Sequence, residues 1–290
     1  MPKTRHELHE PHEPMPLERV LREHVFLLGH DERTPEHNHT RGHLVYPATG
    51  VLSLVTSLGS WIAPSNRVVW IPAGFEHQHR AHGRTDMRIV FMAPSLAALL
   101  PAHPAVLVMT PLAREATLTL TGPDSRPAGA RSRLRRVIID DITTAPEQPL
   151  HLPEPHDDRL RAVVALVEEG MSTPRTLGRL GHQVGASERT LSRLFQQETG
   201  MSFPQWRTQL RVHHALLLLA GEVSVINTAT ACGWANPSAF IDAFTALVGQ
   251  TPGQYQRSLR EDAKTARHGD APGHLPQDRQ ADQPLTVRRK

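Results

Sequence analysis

The sequence predicts an α+β protein with a β-barrel or sandwich in its N-terminal half and an all-helical domain in its C-terminal half. Between residues 43 and 93, short runs of β-branched and aromatic residues are broken by Gly or Pro at short intervals. This pattern is typical of small barrels and sandwiches. From residue 157 to residue 260 the chain has a helical pattern instead. A proline-dense stretch between the halves, 148–156, cannot continue a helix and is predicted to be a linker.

The 290 residues divide into six predicted segments. These are a polar arm (1–16), an effector-binding barrel (17–95), a helical segment (96–147), the linker (148–156), the helical domain (157–260) and a polar tail (261–290). The arm and the tail are expected to be disordered, because neither has the apolar periodicity of a folded element. Within 96–147, Leu134, Ile138 and Ile142 recur every four residues and predict a helix. That segment either covers the barrel or forms a dimer surface.

Composition limits the classes of protein that fit. Apolar residues make up 39% of the chain and charged residues 21%, which is ordinary for a soluble globular protein. The chain has no apolar run long enough for a membrane span and no secretory signal pattern at its N-terminus. A single cysteine, Cys232, excludes an intrachain disulfide and favours a cytoplasmic location. The formal net charge of +3 barely favours an acidic partner, so any nucleic-acid function must rest on motifs.

Two segments of the C-terminal half share the spacing of a helix-turn-helix. In TLGRLGHQVGASERT, Gly181 is followed four residues later by Gly185, and in TATACGWANPSAF, Ala229 is followed four residues later by Gly233. A helix-turn-helix needs a small residue where its helices touch and a glycine at the turn, where φ is often positive. The spacing therefore predicts two such units.

The stretch between the two units predicts a connecting helix. The turn glycines lie 48 residues apart, and Trp206 and Leu210 between them can form the apolar face of that helix. Ser187 and Asn236 are candidate N-caps for the second helix of each unit. One helical hairpin is a weak signal, whereas two in tandem can place two reading helices in successive major grooves, about 34 Å apart.

These segments resemble a known family. SERTLSRLFQQETGMSFPQW and ACGWANPSAFIDAFTALVGQTPGQY are similar to the two signature segments of the AraC/XylS transcription regulators. The linker sequence HLPEPHDDRL is similar to that of members with an N-terminal cupin barrel. The resemblance implies sequence-specific binding to double-stranded promoter DNA and control of transcription.

By this resemblance, base reading in the first unit falls on Arg189, Ser192 and Arg193. Arginine can bind guanine bidentately, and each good pair contributes roughly 1–3 kcal/mol of discrimination. An ordinary solvated or phosphate-facing side chain is the alternative interpretation of Arg193.

In the second unit the matching positions are Pro237, Ser238, Ile241 and Asp242. The family usually has Arg where this chain has Asp242, and a carboxylate is repelled by phosphates although it can accept from cytosine N4. The second unit is therefore expected to contribute less affinity than the first. The predicted DNA-contacting set is Ser187, Arg189, Thr190, Ser192 and Arg193 in the first unit, and Asn236, Ser238 and Ile241 in the second.

The N-terminal half contains a histidine cluster. In HNHTRGH, His37, His39 and His43 share parity, so on a strand they point to one face. Histidine is a common metal ligand. Together with the sequence PAGFEH, which ends at His77, the stretch resembles the two signature motifs of the cupin barrel, with His43 in place of the usual Glu.

The cupin resemblance implies a metal site made of His37, His39, His43 and His77. His79 shares the parity of His77 and is a candidate fifth inward-facing histidine. Such a nitrogen-rich site suits Zn, Ni, Cu or Fe and disfavours Mg or Ca. Two alternatives stay open, namely a barrel that binds an organic effector without metal and a neutral or pH-sensitive histidine lining.

Together the patterns predict a one-component transcription factor and not an enzyme. The barrel would bind a small effector or metal ion, the chain would form a homodimer, and the C-terminal domain would bind a promoter. A metal-dependent cupin oxygenase or isomerase fused to a DNA-binding module is the rival. It would need a catalytic acid or base, and Glu76 has the wrong parity relative to His77 to face inward. A constitutive repressor with a purely structural barrel is the third interpretation.

Overall fold

The computed structural model describes residues 24–123, 126–144, 146–173 and 175–269. An antiparallel sheet with covering helices forms the N-terminal part, and a helical domain forms the C-terminal part. The predicted α+β organisation is therefore confirmed. The predicted arm at 1–16 and residues 270–290 of the predicted tail lie outside the described residues.

The sheet has seven strands in the described part of the chain. They are β1 (His24–Leu28), β2 (His43–Thr56), β3 (Gly59–Pro64), β4 (Arg67–Ile71), β5 (Gln78–Phe91), β6 (Ala105–Val108) and β7 (His151–Pro153). The long strands β2 and β5 pair along most of their length and form the centre of the sheet. This pairing positions the histidines that lie at their ends.

Strand β2 bends near Gly50 and so pairs with two strands along one edge. Its first residues, 43–45, pair with β4, and residues 51–56 pair with β3. Register shifts between Pro47 and Val51 mark the bend. Gly50 has a φ of +81°, and a Cβ there would lie 2.5 Å from the Thr85 Oγ1 atom. Glycine is therefore required where the strand bends.

The sheet is not closed, which corrects the closed barrel predicted for 17–95. The strand order is β1-β5-β2-β3-β7, with β4 and β6 branching from β2. Because β2 divides one edge between two partners, the sheet branches instead of returning to its first strand. The result is an open, branched antiparallel sheet.

Three helices follow the long strands of the sheet. They are α1 (Pro94–Ala97), α2 (Pro111–Thr121) and α3 (Ala128–Ile142). Ile138, Ile139 and Ile142 of α3 are fully buried in one apolar cluster with Leu44 and Val90 of the sheet. The helix predicted from the fourfold spacing is thus present, and it covers the sheet.

The segment 96–147 is not wholly helical, in contrast to the prediction. Residues Ala105–Val108 form β6, which pairs with β4. The four residues AVLV are too few to show a period of their own, so their conformation is decided by the free edge of β4 beside them.

The C-terminal domain has seven helices among the residues described. They are α4 (Asp158–Glu169), α5 (Leu177–Val184), α6 (Glu188–Thr199), α7 (Phe203–Ala220), α8 (Val225–Ala231), α9 (Pro237–Val248) and α10 (Pro252–Gly269). Helix α10 includes residues 261–269, so the predicted tail begins as a helix. None of the helices described combines the length and apolarity that a membrane-spanning helix needs.

Both helix-turn-helix units are present, as α5–α6 and α8–α9. The turn glycines Gly185 and Gly233 have φ values of 68° and 73°. A Cβ on Gly181 would lie 2.4 Å from the carbonyl oxygen of Ala186, so a small residue is needed there. Ala229, at the matching position of the second unit, is 1% exposed. The two glycine patterns thus have the physical cause that the sequence predicts.

Helix α7 connects the two units and also packs on the sheet. The Nε2 atom of Gln209 donates to the carbonyl oxygen of Pro149 at 3.0 Å. Leu52 and Ile62 of the sheet belong to the same apolar cluster as Leu216 and Phe244 of the helical domain. The stretch predicted as a linker contains β7, which pairs with β3. The two halves are therefore joined by a strand and a shared core.

Candidate functional site

Five histidines converge in the sheet, although His43 and His79 lie at opposite ends of the β2–β5 pairing. His37 and His39 lie in the loop before β2, His43 begins β2, His77 precedes β5, and His79 is in β5. Backbone bonds join the two segments, because His37 N donates to the His77 carbonyl at 2.9 Å and His77 N donates to the His37 carbonyl at 2.8 Å. The loop is therefore held against the strand, and the imidazoles meet.

The rings form two overlapping triads. The ring centroids of His37 and His77 lie 4.3 Å apart, those of His39 and His43 lie 4.7 Å apart, and those of His77 and His79 lie 5.0 Å apart. In each triad, one nitrogen of every ring lies within 4.8 Å of the others. The triads are His37, His39 and His77, and His43, His77 and His79. His77 is common to both.

Several ring nitrogens of the cluster have no hydrogen-bond partner among the described residues. The Nδ1 atoms of His37 and His77 lie 2.7 Å and 2.8 Å from the carbonyl oxygens of Pro35 and Phe75. A nitrogen that donates to a carbonyl carries the ring proton, so the opposite nitrogen is free to accept or to bind a metal. The Nε2 atoms of His39, His43, His77 and His79 are buried and have no hydrogen-bond partner among the described residues. Buried polar atoms without a partner are unusual in folded proteins.

The electrostatic environment keeps these imidazoles neutral. Burial lowers the pKa of His39 and of His77 to about 4, and neighbouring imidazoles oppose protonation further. Burial also lowers the pKa of His43 and of His79 well below the usual value. Neutral imidazole is the form that binds metal.

The structure brings together all four predicted ligands and adds His79. The signal for His79 is its parity with His77, and the two side chains lie in one triad. The ring of Phe91 lies 5.3 Å from His39 and 5.2 Å from His43, centroid to centroid, and forms an apolar wall. Glu76 is exposed, so both triads consist of histidine alone.

The first helix-turn-helix unit exposes a polar face on α6. Arg189, Ser192 and Arg193 are exposed, whereas Leu191 and Phe195 are buried. Neither arginine makes an ion pair with a described residue. Both guanidinium groups are therefore available to a ligand outside the chain.

Two predicted DNA-contacting residues of this unit also cap α6. The Ser187 Oγ atom accepts from the Thr190 backbone N–H at 3.1 Å and lies 2.9 Å from the Thr190 hydroxyl. Such a cap satisfies one of the free N–H groups at the helix start. Ser187 and Thr190 therefore also fix where α6 begins.

The second unit exposes a face that has no cation. Ser238, Ile241 and Asp242 of α9 are exposed, and Phe240 and Phe244 are buried. The side chain of Asn236 accepts from the Ser238 backbone N–H at 2.8 Å and caps α9. The two exposed faces differ in charge, as the sequence predicts.

Cys232 is buried at the end of α8. Burial raises the pKa of its thiol to about 12, so the thiol stays protonated. This agrees with the expectation that it is a small buried apolar residue.

Comparison with known proteins gives the family. A helix-turn-helix domain family matches residues 180–258. The chain is 36% identical over 233 residues to the HTH-type transcriptional regulator NimR of Escherichia coli (strain K12), a match that covers 78% of this chain and 84% of that protein. The chain belongs to the AraC family of transcriptional regulators. It is a DNA-binding regulator, and its relatives are named as regulators and not as enzymes.

Two further matches cover a smaller share of this chain. The HTH-type transcriptional activator RhaR of Klebsiella pneumoniae is 34% identical over 102 residues, which are 35% of this chain and 36% of that protein. The DNA-binding domain of AdpA, solved in complex with a target DNA, is 30% identical and covers 40% of this chain and 100% of its own, with a TM-score of 0.35.

Proposed function

We propose that the N-terminal sheet is a cupin-like sensor that binds a transition-metal ion or a small effector and thereby changes promoter binding by the helical domain. The five-histidine cluster is the proposed metal site. The observation that carries this proposal is the convergence of four buried Nε2 atoms without hydrogen-bond partners in the described chain.

The donor set supports a borderline transition metal. Imidazole nitrogens suit Zn, Ni, Cu and Fe, whereas Mg and Ca require oxygen ligands. His37 and His39 would hold the ion from the loop before β2, His43 from β2, His77 from the residue before β5, and His79 from β5. The carbonyl partners of His37 and His77 resemble the outer contacts that orient metal-binding histidines. An ion there would join loop to sheet.

Strand β5 offers a route from this cluster to the DNA-binding domain. His79 points into the cluster, and His82, three residues later, faces the side of the sheet on which α7 packs. The side chain of His82 is hydrogen-bonded to the hydroxyl of Ser53 at 2.8 Å, and its charge would act on His213 of α7. A ligand that shifts β5 would therefore shift the support of α7. For regulation, the ligand must bind the two arrangements with different affinity.

Metal content of the tag-free, full-length protein tests the site. Metal-free protein is dialysed against Zn(II) or Ni(II), and bound metal is measured by mass spectrometry. We expect stoichiometric metal in the wild type and its loss in His77→Ala, because His77 belongs to both triads. His103→Ala is the matched control, since that histidine is exposed and paired with Glu147. A wild type without stoichiometric metal, or equal loss in both variants, would contradict the site.

An organic effector is a second candidate ligand, supported by a cleft beside the cluster. The cleft has a volume of about 450 Å³, within the range of small-molecule sites. Apolar side chains and one guanidinium group line it, including Trp70, Met92, Leu100 and Arg41. Thermal stabilisation by an organic compound that persists in His77→Ala, but is lost in Arg41→Ala, would assign effector binding to the cleft.

The homodimer remains a prediction. Helices α2 and α3 cover the sheet, and light scattering of the full-length protein gives its oligomeric state.

The rival interpretation, a metal-dependent enzyme fused to a DNA-binding module, gains no support from Glu76, because that residue is exposed. Turnover of a substrate by the metal-loaded protein would establish it.

A further inference from the structure

Three arginines surround a small cavity inside the DNA-binding domain. The cavity is about 10 Å³ in volume, room for one atom of the size of a water oxygen. Its charged lining comes from Arg175, Arg207 and Arg211. The rest of the lining comes from the end of α4 and the loop after it. We refer to this group as the arginine seam.

The arginine seam lies between the two helix-turn-helix units. Arg175 directly precedes Thr176, the N-cap of α5 in the first unit. Gly233 is the turn glycine of the second unit, and a Cβ there would lie 2.4 Å from the Met171 carbonyl oxygen and 3.1 Å from Arg211 Nη2. The start of one unit and the turn of the other therefore meet at the cavity.

Arg211 is buried without an acceptor. It is 8% exposed, and its guanidinium group makes no hydrogen bond or ion pair with a described residue. The Arg211 Cζ atom lies over the face of Trp234, 5.4 Å from the ring centroid. A guanidinium group has five N–H donors, which can bind an anion at the cavity. The side chain thus lacks an anionic partner.

The other two arginines of the seam add positive charge. The described residues that line the cavity include no carboxylate. Arg207 donates through Nη1 to the carbonyl oxygen of Arg175 at 3.1 Å and lies over the ring of Phe203. Neither Arg175 nor Arg207 forms an ion pair in the described part of the chain. Burial lowers the pKa of Arg211, and the charge of Arg207 lowers it further. Like charges gathered at one cavity repel each other unless an anion is present.

We propose that the arginine seam receives a non-bridging oxygen of a DNA backbone phosphate. The phosphate would lie between the two major-groove segments that α6 and α9 read. When two units read successive grooves, the backbone between those grooves passes along the boundary of the units. Guanidinium groups bind phosphate oxygens with charge-assisted hydrogen bonds. A phosphate contact carries no base information but fixes register, so the seam would set how both units sit on one duplex.

Salt dependence of DNA binding tests this site. The full-length protein is titrated onto a mixed-sequence duplex over a range of NaCl concentrations. The double variant Arg175→Gln/Arg207→Gln should reduce the slope of log K against log salt by about 0.9, the value for one phosphate contact. Arg257→Gln/Arg260→Gln removes two exposed arginines of α10 and is the matched control. It should leave the slope unchanged.

Two results would overturn the proposal. One is an unchanged slope in the seam variant. The other is an equal reduction in both double variants, because that would be an effect of net charge alone. If the double variant does not fold, Arg175→Gln carries the test, and an affinity loss that shrinks as salt rises is expected.

A free anion is the other source of the same chemistry. The melting temperature of DNA-free protein is compared in sodium phosphate and in NaCl at equal ionic strength. We expect the wild type and the seam variant to respond alike. A phosphate-specific stabilisation that the seam variant loses would show that a free anion fills the cavity, and would overturn the DNA assignment.

Discussion

Arg67 of strand β4 donates through Nη2 to the carbonyl oxygen of Val248, the last residue of α9 in the second helix-turn-helix unit. The same nitrogen lies 3.2 Å from Gln148 Oε1. Arg67 is 5% exposed, and burial lowers its pKa to about 10, so it remains charged at neutral pH. The sheet therefore contacts the C-terminal end of α9 directly.

Replacing Arg67 tests this contact. Arg67→Met keeps much of the apolar stem but removes the bond to Val248, and hydrogen bonds to charged groups contribute about 1.5–3 kcal/mol. We expect a loss of that size in the free energy of unfolding. We also expect faster amide exchange at the end of α9, measured by mass spectrometry. Arg80→Met breaks an exposed ion pair with Asp31 and should have an effect below about 1 kcal/mol. Equal effects of both substitutions would contradict the coupling.

Docking of α7 on the sheet should weaken at acidic pH. His213 of α7 is buried, and burial together with the nearby His151 and His82 lowers its pKa to about 3. In the unfolded chain the pKa returns to about 6.5, so that state binds more protons between these values. The contribution of His213 to the free energy of unfolding is fully present above about pH 6.5. It falls as the pH decreases and is smaller by about 2 kcal/mol at pH 5.

Other titratable groups surround His213, so a His213 variant is needed to separate its effect from theirs. Its titratable neighbours are His82 of β5, which lies near Arg80, Asp31, His30 and Arg33, and His151 of β7, which lies near Glu147 and His103. His213→Gln should lose part of the decrease in unfolding free energy between about pH 7 and pH 5. Curves of wild type and variant that run parallel in urea unfolding would exclude His213 as the cause.

The two reading faces should differ in their contribution to DNA affinity. Arg193→Ala removes an exposed guanidinium group of α6 and should weaken binding to a selected operator by about 1–3 kcal/mol. Asp242→Ala removes an exposed carboxylate of α9 and should be neutral or tighten binding. Gel-shift titration measures both. Normal operator binding by Arg193→Ala would refute the assignment of that residue.

The two turn glycines should differ in their tolerance of a side chain. Gly185 has a φ of +68° and open space around its Cβ position, so Gly185→Ala should lose about 1 kcal/mol from backbone strain. Gly233 has a φ of +73° and the Met171 carbonyl oxygen 2.4 Å from that position. Gly233→Ala should therefore destabilise the domain more, and differential scanning calorimetry measures the difference. A smaller loss for Gly233→Ala would contradict the close packing of the seam.

Local chemistry explains why the helix-turn-helix units could be predicted from the sequence. Positive φ at Gly185 and Gly233, and the caps at Ser187 and Asn236, depend on residues that are close together in the chain. The signal is therefore present in short segments. The histidine cluster could be predicted in the same way, since parity alone places His77 and His79 on one face of a strand.

Features that depend on distant partners could not be predicted. Strand β7 has three residues beside several prolines, and it exists because the free edge of β3 accepts it. The hydrogen bond from Arg67 to Val248 joins residues 181 positions apart, and no local sequence pattern predicts it. The branching of the sheet likewise follows from how β2 divides its edge, which hydrophobic alternation does not encode.

The central claim is that the histidine cluster controls DNA binding, and an equilibrium titration tests it most directly. Metal-free, full-length protein is titrated onto its selected operator duplex with and without Zn(II) or Ni(II). We predict that one of these ions changes the dissociation constant by about 5- to 150-fold, the usual range of allosteric coupling, and that His43→Ala/His77→Ala abolishes the change. A dissociation constant that is the same with and without each ion would contradict the account.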